Sequence, residues 1–209
     1  VTLPDPPILA ITDRRQCAET LEVRAERLFS GGCRWLSVRE KDLDAADRLA
    51  LLRRLIAIGD RFGARVGIHD DPAAAIACAA PLHLPSNADV AAARRRCGQG
   101  MLIGRSCHAE ADVGNSEGAD YATLSPAFRS ASKPGYAPTL SPGDLGSIGA
   151  RSRIPVLALG GVTRDTVRLL AGARIAGLAV MGEAMRAPAP EAWFESLTAE
   201  WRKSRGGQP

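Results

Sequence analysis

Along this chain, short apolar runs bounded by turn residues alternate with stretches whose apolar residues recur every three to four positions, and the alternation never breaks. The short runs have strand length and the longer ones a helical period, so the pattern is that of repeated βα units. Strands are expected at Pro7 to Thr12, Trp35 to Arg39, Arg65 to His69, Pro81 to Leu84, Met101 to Ser106, Tyr121 to Leu124, Pro155 to Leu159 and Gly177 to Met181. Eight strands is the count that a closed parallel barrel needs, and eight short units just fit into 209 residues. The expected fold is therefore α/β, a single (β/α)8 TIM barrel over 1–209, with its core at about 7–200. Two doubly wound halves also produce alternating β and α and stand as the alternative.

Helices are expected between the strands, at Thr20 to Ser30, Ala45 to Phe62, Pro72 to Ala79, Asp89 to Cys97, Pro142 to Ala150, Arg164 to Gly172 and Pro190 to Lys203, with a poor helical stretch at Glu110 to Glu117. Asp71 before Pro72 and Thr163 before Arg164 are start signals, while Gly63, Gly98 and Gly118 stand where helices should stop. Ser125 to Ser141 is the longest unassigned stretch, and in a compact barrel a loop of that length serves as an active-site lid. Arg202 to Pro209 reads as a frayed, disordered tail.

Charge and cysteine usage narrow the function classes. The net charge of +4 is spread along helical segments with no basic run, and 4% aromatic residues offer little to stack on bases, so nucleic acid is not an expected partner. The five cysteines, Cys17, Cys33, Cys78, Cys97 and Cys107, are odd in number and lack Cys-x-x-Cys spacing, which suggests neither a disulfide framework nor a zinc site. No charged region followed by an apolar one opens the sequence, and no run of about 18 apolar residues occurs, so no membrane association and a reducing, cytoplasmic location are expected. A homo-oligomer is compatible with such a barrel, though no residue pattern marks an interface.

In barrels of this class the working groups stand at the C-terminal ends of the strands. The second strand runs Trp35-Leu36-Ser37-Val38-Arg39-Glu40-Lys41, and its period of two turns Ser37 and Arg39 inward if Leu36 and Val38 meet the helices. Arg39 and Lys41 at a barrel mouth suit phosphate or carboxylate; the competing reading is a charged loop that pairs with itself. The seventh strand ends in Gly160-Gly161 and the eighth in Met181-Gly182, each ahead of a helix, an arrangement that offers backbone N–H groups to phosphate. On the fifth strand Gly104, Ser106 and His108 share a face, which makes His108 the best placed of three histidines to move protons near neutral pH. His83 reads as a hydrogen-bonded interior residue, Cys107 as packing, and Asp71 as a helix cap in preference to a cation ligand.

Beyond these derivations, several stretches in order from residue 8 to about 185 resemble the thiamin phosphate synthase/TenI superfamily: Ile8 to Arg14, Arg39-Glu40-Lys41, Leu82-His83-Leu84, Ile103 to Ser106, the loop Ser125 to Gly135, and Ala158 to Val162. The resemblance implies a small phosphorylated heterocycle as ligand. Synthases of the family couple a pyrimidine diphosphate to a thiazole phosphate with Mg2+. Their Asn-Asp pair after the third strand is here His69-Asp70, and their Gly-Gln-Glu-Asp run is here Pro85-Ser86-Asn87-Ala88 with Asp89 one place late, leaving Asp70 and Asp89 as the only metal ligands under that reading. The TenI-like branch, to which this chain is more similar, comprises thiazole tautomerases that need no cofactor; its Leu-Pro-Ser turn and Gly-Arg-Ser-x-His run match Leu84-Pro85-Ser86 and Gly104 to His108. That likeness implies His108 as the acid/base, Arg39 or Lys41 beside a carboxylate, and Gly160, Gly161, Met181, Gly182 and Ser106 around the phosphorylated ligand. Ser130, Ser132 and Lys133 match lid positions that grip diphosphate in the synthases and favour that alternative; a non-catalytic binder of a thiamin precursor is the third.

Overall fold

In the computed structural model, which describes residues 2–129 and 140–206, the strands are β1 Ile8–Ile11, β2 Trp35–Val38, β3 Arg65–His69, β4 Leu82–Leu84, β5 Ile103–Cys107, β6 Tyr121–Leu124, β7 Val156–Leu159 and β8 Gly177–Val180. Each pairs in parallel with the next, and β8 returns to β1, closing a (β/α)8 barrel. The helices are α1 Leu21–Ser30, α2 Ala45–Asp60, α3 Pro72–Ala77, α4 Val90–Cys97, α5 Glu110–Gly114, α6 Pro142–Arg151, α7 Arg164–Val167, α8 Gly182–Arg186 and α9 Pro190–Arg205. Among the described residues, no helix is long and apolar enough to cross a membrane.

The period of two divides the apolar residues into two cores. Ile8, Ala10, Leu36, Val38, Val66, Ile68, Leu82 and Leu84 face outward onto the helices. Leu9, Ile11, Trp35, Leu102, Tyr121, Leu157 and Ala179 fill the inside of the barrel. The largest inner side chains, Trp35 and Tyr121, meet edge to face with ring centroids 4.8 Å apart. Space for the Tyr121 ring comes from the absent side chain of Gly104 on the neighbouring strand, since a Cβ there would fall on the ring itself.

Higher up, the inner surface splits by polarity. Ser37, His69, His83, Ser106 and Thr123 stand on β2 to β6, Ser37 hydrogen-bonded to His69 and His83 to Ser106 and Thr123, whereas Leu159, Ala179 and Ile11 stand on β7, β8 and β1. Helix starts follow the expected chemistry: Asp71 accepts from Ala74 N at 3.0 Å and Thr163 from Thr166 N at 3.2 Å.

Three differences from the sequence reading have local causes. The residues Arg164 to Gly172 form α7 and a separate 3-10 turn, Arg168–Leu170, instead of one helix. Helix α8, directly after β8, is too short for its period to be read. Helix α9 continues into the stretch expected to fray, because Trp201 is buried against the core and Arg205 donates to Ala173 O at 2.7 Å while stacking on the Trp201 ring.

Gly104→Ala should destabilise the fold by about 1–3 kcal/mol, because the added methyl displaces the Tyr121 ring. Gly100→Ala, where the added Cβ meets nothing, should stay within about 0.5 kcal/mol. Urea midpoints at unchanged slope check the pair; equal midpoints would show that the ring can step aside.

Candidate active site

The C-terminal ends of the strands open into a cavity of about 870 Å³, large enough for a small-molecule ligand. Its wall brings together Arg39, Lys41, Asp70, Ser106, His108, Gly160, Gly161, Met181 and Gly182 from the sequence-derived set, and adds His69, Phe128, Arg129 and Arg186.

The loop after β2 does not pair with itself. Glu40 lines the cavity but is buried, its carboxylate taken up by Arg14: it accepts from Arg14 N at 3.1 and 3.2 Å and from Arg14 Nη1 at 2.9 Å. Asp42 takes the other face of the same guanidinium at 2.8 Å. Both acids of the Arg-Glu-Lys-Asp run are thus engaged by one distant arginine, and among the described residues Arg39 and Lys41 make no ion pair. Arg39 is held at its backbone, where its N–H donates to Thr12 Oγ1 at 2.9 Å, and its Nη1 lies 4.0 Å from Met181 Sδ on the opposite wall. Two uncompensated cations therefore face the cavity, an arrangement that favours an anionic ligand.

Opposite them, Gly160 and Gly161 turn the chain after β7 at φ of 101° and 62°, a conformation disfavoured for residues with a Cβ. A side chain at Gly161 would collide with Phe128 and the Arg129 carbonyl, so the loop after β6 rests directly on this turn. Phe128 N donates to Gly160 O at 2.9 Å and Ala127 N to Leu159 O at 2.8 Å, fixing the contact. Gly182 opens α8 beside it, and the Arg186 guanidinium from the end of that helix lies against Gly182, held by Glu183 at 2.9 Å and by Gln16. Glycine turns, two helix starts and a guanidinium thus stand together on one wall, groups with the chemistry to receive an anion. Arg186 escaped the sequence reading because its only signal was a position one helical turn beyond Gly182.

His108 is exposed at the end of β5, and its Nδ1 lies 3.1 Å from the Ser125 carbonyl and 3.2 Å from the Ser125 hydroxyl. A carbonyl oxygen only accepts, so Nδ1 carries a proton, and in the neutral imidazole Nε2 keeps a free lone pair. That is the form required of a base.

Two more histidines stack below the mouth with centroids 4.4 Å apart. His83 is the interior residue expected, 3.0 Å from Tyr121 Oη through Nδ1 and 3.0 Å from Ser106 Oγ through Nε2. Burial, with Arg39 nearby, pushes its pKa from 6.5 down to about 3. His69 lines the cavity, with Nδ1 2.8 Å from Ser37 Oγ. Burial, the His83 ring, Arg39 and Lys41 hold it well below the usual imidazole range.

The carboxylates are dispersed. Asp70 lines the cavity, but Asp71 caps α3 and pairs with Arg48 at 3.1 Å. Asp89, a candidate metal ligand from sequence, instead caps α4 by accepting from Ala92 N at 2.9 Å and is absent from the cavity wall, because the turn after β4 carries it out to the helix start. Among the described residues, no group of three or more His, Cys, Asp or Glu converges on a point. Cys107 packs in the outer core between barrel and helices, its Sγ 3.6 Å from Ser116 Oγ. Ser130, Ser132 and Lys133 lie outside the described residues.

A family model described as thiamine monophosphate synthase matches residues 8–184. The chain is 36% identical to the thiamine-phosphate synthase of Marinobacter nauticus, over 85% of this chain and 82% of that protein. It is 35% identical to the thiamine-phosphate synthase of Chlorobium luteolum, over 98% of each. The solved thiamine phosphate pyrophosphorylase from Pyrococcus furiosus superposes with a TM-score of 0.84 at 22% identity, over 94% of this chain and 96% of that one. At that identity the likeness is one of fold.

The buried histidines give stability a pH dependence of known sign. The folded pKa of His83 lies below its unfolded value, so the stability of keeping it neutral is complete above 6.5 and is lost as pH falls toward about 3. Near pH 5 the loss from His83 alone should be about 2 kcal/mol, with His69 acting in the same direction. Urea midpoints at about pH 7.5 and pH 5 measure it; an unmoved midpoint would show that the imidazoles are not buried in neutral form.

Proposed function

This chain belongs to the thiamine monophosphate synthase family, and from that premise we propose that its cavity binds a small phosphorylated thiazole bearing a carboxylate and moves a proton upon it, without a metal. The observation that carries this reading is the employment of the acids around the mouth. Glu40 is bound to Arg14, Glu183 to Arg186, Asp71 to α3 and Arg48, and Asp89 to α4, which leaves Asp70, among the described residues of the cavity wall, as the carboxylate without an ion-pair partner. One carboxylate among several cations does not fit a resident hard dication, whereas it suits a doubly anionic ligand that brings no metal.

In this reading the phosphate lies against Gly160, Gly161 and Gly182, with Arg186 at the rim, and the carboxylate faces Arg39 or Lys41. The base is His108 Nε2. It takes a proton from a ring carbon, becomes an imidazolium whose Nδ1–H still donates to Ser125 O, and returns a proton to a second carbon of the same molecule, so nothing is gained or lost overall. Ser106 shares the inward face below it.

The names of the relatives favour the other chemistry of the family, condensation of a pyrimidine diphosphate with a thiazole phosphate, which stands as the second reading with Asp70 as its one retained metal-side carboxylate. Two assays separate them. Given the non-aromatic carboxythiazole phosphate in heavy water, the protein should accelerate aromatisation with deuterium incorporation, unaffected by chelator. His108→Asn should lower that rate by at least about 100-fold while ligand affinity stays near wild type. Strictly Mg2+-dependent thiamin phosphate formation from the pyrimidine diphosphate and aromatic thiazole phosphate, with no effect on the non-aromatic compound, would replace this reading by the second.

A further inference from the structure

Resting on the proton-transfer reading, we propose that His69 is a second catalytic residue of this site: a neutral imidazole whose Nε2–H donates to the part of the bound heterocycle on which negative charge collects while His108 holds the proton. Three observations carry it.

The first is position. His69 ends β3 with an inward side chain, and it lines the same cavity as His108. The second is the proton inventory of its partner. Ser37 is buried at 3% exposure, and among the hydrogen bonds of the described residues its hydroxyl meets only His69 Nδ1, at 2.8 Å. A buried hydroxyl proton without an acceptor is costly, so Ser37 Oγ donates and Nδ1 accepts. The ring then carries its proton on Nε2, the reverse of His108. The cavity holds one imidazole with a bare Nε2 and another with a protonated one.

The third is that the surroundings keep His69 uncharged. With Ser37 donating to it, Nδ1 is bare and the ring carries a single proton, and the His83 ring, itself hydrogen-bonded at both nitrogens, packs against it with centroids 4.4 Å apart. Neutrality suits the task. A neutral imidazole donor stabilises a developing enolate-like anion without first forming an ion pair with the ground-state ligand. The steps balance within the ligand: the C–H electron pair moves into the conjugated system as His108 removes the proton, and the anion is held by the Nε2–H of His69. That pair then takes the proton back at the second carbon. His69 keeps its own proton throughout.

Long-range nitrogen–proton NMR spectra and substitution kinetics test the proposal together. The wild-type spectrum should show His69 as the Nε2–H tautomer, with that nitrogen shifting on addition of the aromatic carboxythiazole phosphate; an Nδ1–H tautomer would overturn the proposal. His69→Phe should lower kcat for aromatisation by about 100- to 1000-fold with KM changed less than about threefold, and His69→Asn, which returns an N–H donor, should recover part of the loss. A His69→Phe enzyme that turns over like wild type would overturn the role of His69 and leave the proton-transfer reading intact. A wild-type protein inactive on the non-aromatic compound would overturn both.

Discussion

Closing eight parallel strands on themselves turns every second residue of each strand into a confined interior, and the rest of the molecule follows from what that interior is made to hold. At its lower level the space is filled by apolar volume, with the Trp35 and Tyr121 rings accommodated by the missing side chain at Gly104. A well-filled base keeps strand spacing fixed, so groups one layer higher inherit a rigid support. At that layer, the strand register places His69 beside His83 and Gly104 beside His83, which aligns the two imidazoles in one stack.

Burial has a cost that the hydrogen-bond network of β2 to β6 offsets. Each polar group there has a partner: Ser37 with His69, and His83 with Tyr121 and Ser106. Satisfied in this way, neutral imidazoles are tolerable inside a barrel where charged ones are not. The opposite arc is apolar at the same height and gives way above to glycine turns and the start of α8. A ligand entering the mouth meets hydrogen-bonding rings on one side and backbone and guanidinium groups on the other. Such a division suits a flat heterocycle carrying an anionic arm.

How much of this was readable in the chain differs by level. Alternation marked every strand, and β3 and β6 begin and end where the apolar runs do. The inward face of β2, the cap at Asp71, the interior place of His83 and the cavity positions of His108, Gly160, Gly161 and Gly182 follow from period and turn chemistry. The role of Asp89 was not readable, since a carboxylate one position beyond a turn can serve a ligand or a helix start equally well, and only the path of the chain chooses. Nor was α8, whose single turn is shorter than the window in which a helical period shows.

The sequence alone determined the layers: periods of two and of three to four sort residues into inner face, outer face and solvent, and that sorting is local and repeats along the chain. The tertiary structure alone decided which charges remain for function. Glu40 pairs with Arg14 across 26 residues of chain instead of with its neighbours Arg39 and Lys41, and Ser37 meets His69 across 32. Ion pairs and hydrogen bonds depend on distances of a few ångströms, and those distances exist only once the barrel has closed and brought remote strand ends together.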